Sequence, residues 1–361
     1  MKKAELMLTH AWQTQSPLLG VLAPLSALYG TVSRVRKLLY QSGKLSVYHA
    51  PVPVWVIGNI TVGGSGKTPL IIALLKHLLA YGVKVAVISR GYGGDTQAMP
   101  RLVSPSSQPS EVGDEPCLIV QSLSALGHQV PMAVGANRDA VIELLLDNFS
   151  DIQLIISDDG LQHYALHRDE EWIVVDAMRG FGNGKLLPQG FLREPVERLD
   201  GATVIYHDKT ITQGDKFAMT LKAGELIPLM DSADTDLKPP QLGSRVHAVS
   251  GIGYPARFFA TLSDLGYQVV PQPFGDHHDF CYQDLLGLDD LPIITTAKDA
   301  VKLRKLAEHS EQITQDKQAM AAIFNNIWVL PVEAVLSDSL IAHIHTLLDK
   351  YQLGNRANLD N

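Results

Sequence analysis

An α/β fold is predicted: a P-loop NTPase-like parallel sheet domain joined to a second, smaller α/β domain and preceded by an N-terminal apolar helix. Three observations predict it. Short, uninterrupted apolar runs alternate with segments of helical apolar spacing. A glycine-rich loop ending in Gly-Lys-Thr separates the first such strand from its helix. A nearly uncharged stretch, residues 17–31, precedes both. Strands that are apolar throughout are buried on both faces, as in a parallel sheet covered by helices on each side.

The N-terminal stretch is followed by Arg34, Arg36 and Lys37. Its uncharged length of about 15 residues is short of the roughly 20 that span a hydrocarbon core, and no signal-peptide cleavage pattern accompanies it. It fits a helix lying in the headgroup region with its cations on anionic lipid, or a helix packed on the domain. The first strand is Val54 to Ile57. The helix after the glycine loop carries Leu70, Leu74, Leu75, Leu78 and Leu79 on its apolar positions. Further strands are Val83 to Ile88, Val130 to Val134 (leading into a helix over 137–148), Gln153 to Ile156, Trp172 to Val175 and Ala202 to Tyr206. The Ser-, Pro- and Gly-rich stretch Gly93 to Glu115 reads as a long surface loop. A polar connector, Asp231 to Pro240, lies near the start of a second block. That block has strands Val246 to Ser250, Gln268 to Val270, Ile293 to Thr296 and Ile327 to Leu330, and helices Pro255 to Leu265, Asp299 to Ala307 and Ser337 to Lys350.

Composition narrows the class. A chain of 361 residues with 46% hydrophobic and 19% charged residues suits a two-domain globular protein. Thirty basic against 38 acidic residues, net −8, exclude a broad polyanion-binding surface, so no nucleic-acid partner is expected. Cys117 and Cys281 are far apart and outside any CxxC spacing, which argues against a disulfide framework and a structural zinc site and fits a reducing compartment.

The chemistry starts at Gly58-Asn59-Ile60-Thr61-Val62-Gly63-Gly64-Ser65-Gly66-Lys67-Thr68. Backbone N–H groups must converge on phosphate without Cβ atoms in the way, hence Gly63, Gly64 and Gly66, and the following helix adds its dipole. Lys67 would reach the β- and γ-phosphates of ATP and the Thr68 hydroxyl would ligate Mg²⁺. The usual pattern has glycine where Thr61 stands. Asp158 and Asp159 end the run Leu154-Ile155-Ile156-Ser157, at the carboxyl edge where a parallel sheet presents ligands, and one would hold Mg²⁺ or its water shell. Two other acidic clusters, Val112-Gly113-Asp114-Glu115-Pro116 and Gly275-Asp276-His277-His278-Asp279-Phe280, offer a carboxylate or histidine to accept a hydroxyl proton. Ser89-Arg90-Gly91-Tyr92-Gly93-Gly94 places a cation on a glycine turn, suited to a phosphate oxygen. The residues alone leave three readings open: a kinase, a GTPase-like switch in which Thr296-Ala297-Lys298-Asp299 resembles the guanine motif in part with its residues out of the usual order, and a P-loop ATP-dependent ligase.

Together these motifs resemble the tetraacyldisaccharide 4'-kinase (lipid A 4'-kinase) family over nearly the whole chain. The marks are GNITVGGSGKTP (58–69), SRGYGG (89–94), VGDEP (112–116), GANRDA (135–140), SDDGLQH (157–163), GNGKLLPQGFLREP (182–195), SGIGYPARFF (250–259), DHHDF (276–280) and TTAKDAVKL (295–303). Thr61 in place of glycine is what that family shows. The resemblance implies transfer of the γ-phosphoryl of ATP to the 4'-hydroxyl of a tetraacylated disaccharide 1-phosphate, forming lipid IVA at the cytoplasmic face of the inner membrane, with no obligate protein partner. It implies that Thr61, Val62, Gly63, Gly64, Ser65, Gly66, Lys67 and Thr68 cradle ATP, that Asp114 is the base and His277 its orienting partner, and that Glu115, Asp158 and Asp159 belong to the metal and catalytic network. Thr68, Glu115 and Asp158 are the implied Mg²⁺ residues. Asn137, Arg138, Gln162 and His163 match positions near the lipid headgroup. The expected division is 1–40 as a membrane-associating helical segment, 41–222 as the P-loop kinase domain and 223–361 as a lobe closing over the active site.

Overall fold

The computed structural model describes residues 8, 11–12, 14–207, 217–230, 238–313 and 317–354; positions 231–237 of the connector lie outside them. In chain order the strands are β1 (Val54–Gly58), β2 (Val85–Ser89), β3 (Arg101–Leu102), β4 (Met132–Val134), β5 (Leu154–Asp158), β6 (Glu170–Asp176), β7 (Thr203–His207), β8 (Phe217–Ala223), β9 (Ile227–Pro228), β10 (Arg245–Ser250), β11 (Gln268–Pro273), β12 (Ile293–Thr296), β13 (Ile327–Leu330) and β14 (Val332–Leu336). The principal helices are α1 (Ala23–Gln41), α2 (Lys67–Ala80), α3 (Asp114–Ala125), α4 (Arg138–Asn148), α5 (Pro255–Asp264), α6 (Ala297–Ile313), α7 (Lys317–Asn325) and α8 (Asp338–Tyr351). Among the described residues the strands make two sheets, in the orders β14-β8-β7-β6-β1-β5-β2-β4-β3 and β11-β10-β12-β13-β9.

The large sheet is parallel from β8 to β4, with antiparallel edges at β14 and β3. Its central strands β1, β2 and β5 are buried at every position, as their apolar runs require, and the polar ends Ser89, Ser157 and Asp158 are buried with them. Trp55 of β1 and Trp172 of β6 stack 5.7 Å apart beneath α2 and α8, both fully buried. The phosphate-loop strand β1 therefore stands at the centre of the large sheet, buried on both faces.

The C-terminal boundary differs from expectation. Residues 223–361 are not one lobe, because Pro331 follows β13 and the chain then turns back as β14 onto β8 of the large sheet. Helix α8 follows it there. Leu340, Ile344, Leu347 and Leu348, at helical spacing, pack into the core that holds Trp55 and Trp172. Each such side chain contributes about 1.5–3 kcal/mol when buried, and the small sheet has its own helices to cover it. The stretch 93–115 is also more ordered than a bare loop: it holds β3 and a short helix, Pro109–Val112, and it ends by starting α3 at Asp114.

The N-terminal helix is longer than its uncharged core. Pro17–Leu22 forms a 3₁₀ turn that runs straight into α1, giving a 25-residue helical stretch long and apolar enough to cross a membrane by length and composition. One side is tethered to the protein: Ser26 Oγ donates to Leu186 O at 2.8 Å, Tyr29 Oη donates to Arg193 O at 3.0 Å, and Leu19 packs with Phe191 and Leu192.

Candidate active site

The chain leaves β1 at Gly58 and bends through Asn59–Gly66 into the N-terminus of α2. Gly66 takes φ 93°, a left-handed conformation that a Cβ opposes, so glycine ends the loop. Asn59, wholly buried, braces the bend from inside. Its Nδ2 donates to Thr61 O and Thr61 Oγ1, both at 2.9 Å, and to Gly63 O at 3.2 Å; its Oδ1 accepts from Lys67 Nζ at 2.7 Å. Thr61 thus supplies a hydroxyl acceptor that glycine would lack, which explains its place in the motif. Outside the loop, Arg193 spans the site. Its Nη1 and Nη2 each lie 2.8 Å from one oxygen of Asp159, Nε donates to Thr61 O at 3.1 Å and Nη2 to Asn59 O at 3.0 Å. Arg179 Nη1 donates to Val62 O at 2.5 Å.

Two carboxylates face the loop from the end of β5. Asp159 is held well below the usual carboxylate range: burial works against its charge, but Lys67, 3.5 Å away, and Arg193 outweigh it. Asp158 is pushed the other way, up to about 7, by burial and then by the Glu115 and Asp159 charges. Ser89 Oγ donates to its Oδ2 at 3.2 Å, whereas its Oδ1 is buried without a hydrogen-bond partner among the described residues, as is Ser65 Oγ. A buried carboxylate oxygen and a buried hydroxyl, both unpartnered beside a phosphate loop, are the donor set that a Mg²⁺–phosphate group satisfies.

The second sheet meets this cluster. Gly253, between β10 and α5, lies so close to the phosphate loop that a Cβ there would fall 2.3 Å from Gly64 N. Asp114 and Glu115, in the first turn of α3, meet side chains from α6 and from the turn after β11. His277 Nδ1 lies 3.0 Å and Lys302 Nζ 2.9 Å from Asp114 Oδ2, and Lys298 Nζ donates to Glu115 Oε1 at 3.0 Å. Burial would raise the Asp114 carboxyl; the His277 bond and the charges of Lys298, His277 and Lys302 hold it well below the usual range. Glu115 is lowered too, its burial offset by Lys298 and Lys67. Lys67, Asp159, Asp158 and Glu115 are therefore one electrostatic cluster, and Asp114 stands at its rim.

The remaining singled-out residues lie on the other side of Asp158. Arg138 is almost wholly buried at the start of α4, its guanidinium pulled down to about 10 by burial, against the opposing charge of Asp158; its Nη1 donates to Gly135 O. His163 is held down to about 4 by burial and by Arg138, Arg168, Arg36 and Arg90, so it is neutral at physiological pH. Gln162 Nε2 donates to Glu194 Oε1 at 2.7 Å, on a buried carboxylate that also takes the hydroxyl of Tyr164 and Nε of Arg198. Asn137 is the N-cap of α4, accepting from Asp139 N, and its side-chain oxygen has that structural use.

A family model, tetraacyldisaccharide-1-P 4'-kinase (LpxK), matches residues 18–349. The chain belongs to that kinase family. A tetraacyldisaccharide 4'-kinase of Psychrobacter arcticus is 52% identical over 92% of each chain, and one of Pseudomonas putida is 39% identical over 97% of this chain and 98% of its own. A crystal structure of LpxK from Aquifex aeolicus in complex with ATP superposes with a TM-score of 0.68 at 26% identity, covering 92% of this chain and 99% of that one.

Family membership settles the class among the three readings, and the geometry shows why the guanine-motif resemblance misleads. Asp299 of TAKD is fully buried, its Oδ2 accepting from Gly251 N at 3.0 Å and Thr296 Oγ1 at 2.7 Å, so it braces its own turn and is closed to a base in solvent. Lys298 points instead at Glu115. Sequence reasoning gave no role to Asn59, Arg193, Glu194, Lys298 or Lys302. All five lie inside the motifs 58–69, 182–195 and 295–303. Arg193, Lys298 and Lys302 meet partners from distant segments, which no local spacing signals, whereas Asn59 braces its own loop and shows no pattern beyond the motif itself.

Proposed function

We propose that this protein transfers the γ-phosphoryl of ATP to the 4'-hydroxyl of tetraacyldisaccharide 1-phosphate, yielding lipid IVA at the cytoplasmic face of the inner membrane. The observation that carries the reading is the Asp114–His277 pair at 3.0 Å, one from the start of α3 and the other from the turn after β11, set beside the Lys67–Asp159 cluster. A hydroxyl acceptor needs such an oriented carboxylate next to the phosphate loop.

In this account the loop Thr61–Thr68 cradles the phosphates, and Lys67 turns from Asn59 and Asp159 toward the β- and γ-oxygens. Thr68, Asp158 and Glu115 would hold Mg²⁺, which when bound offsets charge on the β- and γ-phosphate oxygens. Asp114 accepts the proton of the 4'-hydroxyl and His277 keeps its carboxylate aimed. A carboxylate so strongly stabilised as the anion is a weak base. That suffices here, because phosphoryl transfer passes through a loose transition state in which orienting the hydroxyl counts for more than removing its proton early. Arg138, Gln162 and His163 line the sugar side, with Gln162 fixed by Glu194; Asn137 acts there through its cap on α4. Residues 41–222 with the returning β14 and α8 form the nucleotide lobe, and the small sheet forms the lobe that closes on it.

The apolar helix supplies the membrane surface. Leu18, Val21, Leu25, Leu28, Val32, Val35 and Leu38 recur at three- and four-residue steps and are all at least half exposed, Val21 at 81%. Such a stripe lies in the headgroup boundary, with Arg34, Arg36 and Lys37 on anionic lipid. The direct test offers purified protein detergent-dispersed disaccharide 1-phosphate and γ-labelled ATP. A labelled bisphosphorylated lipid is expected, with ATP preferred over GTP; phosphate release without labelled lipid refutes the reading.

A further inference from the structure

Lys298 and Lys302 stand one turn apart on α6, so both ammonium groups leave the same side of the helix. That side faces the first turn of α3. Lys298 meets Glu115, and Lys302 meets Asp114 while also donating to His278 O at 3.1 Å. Lys302 is 10% exposed and the Asp114 side chain 5%, so the contact is not a loose surface pair.

The turn that carries His277 needs support. His277 has φ 55°, a left-handed conformation that residues with a Cβ adopt rarely and only when their surroundings enforce it. Its N–H donates to Gly251 O and to Asp276 Oδ1, each at 3.1 Å. On the far side the His278 ring pairs with Asp284 at 2.8 Å, and the His278 carbonyl is taken by Lys302. A closed circuit results: Asp114 Oδ2, Lys302 ammonium, His278 carbonyl, His277 ring, and Asp114 Oδ2 again. Both contacts fall on Oδ2. Oδ1 is left facing the Gly93 turn, 3.7 Å from where a Cβ on that glycine would stand.

We propose that Lys302 is a positioning residue for phosphoryl transfer: its ammonium ties the Asp114 carboxylate to the His278 carbonyl, fixing the strained turn that brings His277 onto Asp114. The proposal rests on the reading of Asp114 as base. A hydrophobic stem of the same length cannot make either bond, whereas arginine keeps the charge and several donors. Misplacing the carboxylate costs turnover without loosening ATP, whose phosphates are held by the loop between β1 and α2.

The test measures kcat, both KM values and melting temperature for Lys302→Met, Lys302→Arg, His277→Ala and the Lys302→Met/His277→Ala double variant. Lys302→Met is expected to lower kcat on the order of 10- to 100-fold, the scale of an ångström-level misplacement, with KM for ATP nearly unchanged. Lys302→Arg should restore much of that loss. With His277 already removed, Lys302→Met should cost less than about threefold further, because the two act as a unit. A wild-type kcat in Lys302→Met, or its full loss repeated in the His277→Ala background, overturns the proposal. Should Lys302→Met lose its fold, Lys302→Gln, which keeps a donor for His278 O but not the charge, carries the same comparison. Asp114→Ala separates the two levels: if it keeps kcat, the base reading fails, and if it loses kcat while Lys302→Met does not, only the role of Lys302 fails.

Discussion

Lys67 and Arg193 share their partners, and this overlap decides what each residue does. Lys67 bonds Asn59 Oδ1 and pairs with Asp159, but Arg193 contacts the same Asn59 oxygen and both oxygens of Asp159. Removing Lys67 leaves no orphaned acceptor, since Arg193 still satisfies both residues. Lys67→Ala should therefore abolish turnover while changing the melting temperature by only a few degrees, because the lost charge is needed on phosphate and not for folding. Steady-state kinetics and a thermal melt on the same sample check this; a near-normal kcat contradicts the assignment. Arg193 is the contrasting case, a strut whose three nitrogens are all already engaged by the loop and by Asp159.

At the scale of elements, the N-terminal helix shows two distinct faces. Leu19 and Leu22 pack against the 186–193 segment, whereas Leu18, Leu25, Leu28 and Val32 face outward. Changing the outward four to Ser should weaken co-sedimentation with anionic vesicles and leave the melting temperature nearly unchanged. Changing Leu19 and Leu22 should do the reverse. Replacing Arg34, Arg36 and Lys37 with Glu should make vesicle binding weaker still, since each cation near an anionic surface contributes about 1 kcal/mol. A stability loss from the outward set without a loss of partitioning would end the membrane-surface reading.

A second element contact sets a pH response. His77 of α2 and His345 of α8 approach Nε2 to Nε2 at 3.1 Å with Tyr81 against both rings, and burial and then the His345 charge lower the His77 pKa. The Lys76–Glu333 pair lies on the neighbouring surface. A histidine with a depressed folded pKa binds fewer protons folded than unfolded below its ordinary value of about 6.5, so stability should fall as pH drops through that value. His163, held down to about 4, acts in the same direction. The drop in melting temperature between pH 7.5 and pH 5.5 should be smaller in His77→Gln than in the parent, without vanishing. An identical drop in both would show that the pair carries no part of it.

Across the whole molecule, what the sequence made legible follows the range of the interactions. Strands β1, β2 and β5 and helix α2 were readable because parallel burial writes itself as local apolar runs and 3.6-residue spacing. The phosphate loop was readable because its glycines answer a local backbone demand. The return of β14 and α8 to the large sheet was not, since the apolar face of Leu340, Ile344, Leu347 and Leu348 fits either lobe and only tertiary packing chooses. The same holds for the site. Asp114, Lys67 and Asp159 stood out in motifs, but Arg193, Lys298 and Lys302 owe their roles to partners in other segments of the chain, and the TAKD motif pointed to a guanine site that Asp299 does not provide.

In the proposed reaction the transfer centre is assembled from both lobes, with Asp114 from one and His277 from the other forming a single working unit. A double-mutant cycle on turnover with detergent-dispersed lipid tests it most directly. Asp114→Ala should lower kcat on the order of 10²-fold or more with KM for ATP little changed, and adding His277→Ala should then cost almost nothing further. If the two losses multiply, or if His277→Ala raises KM for ATP and leaves kcat intact, the lobes do not share one transfer centre.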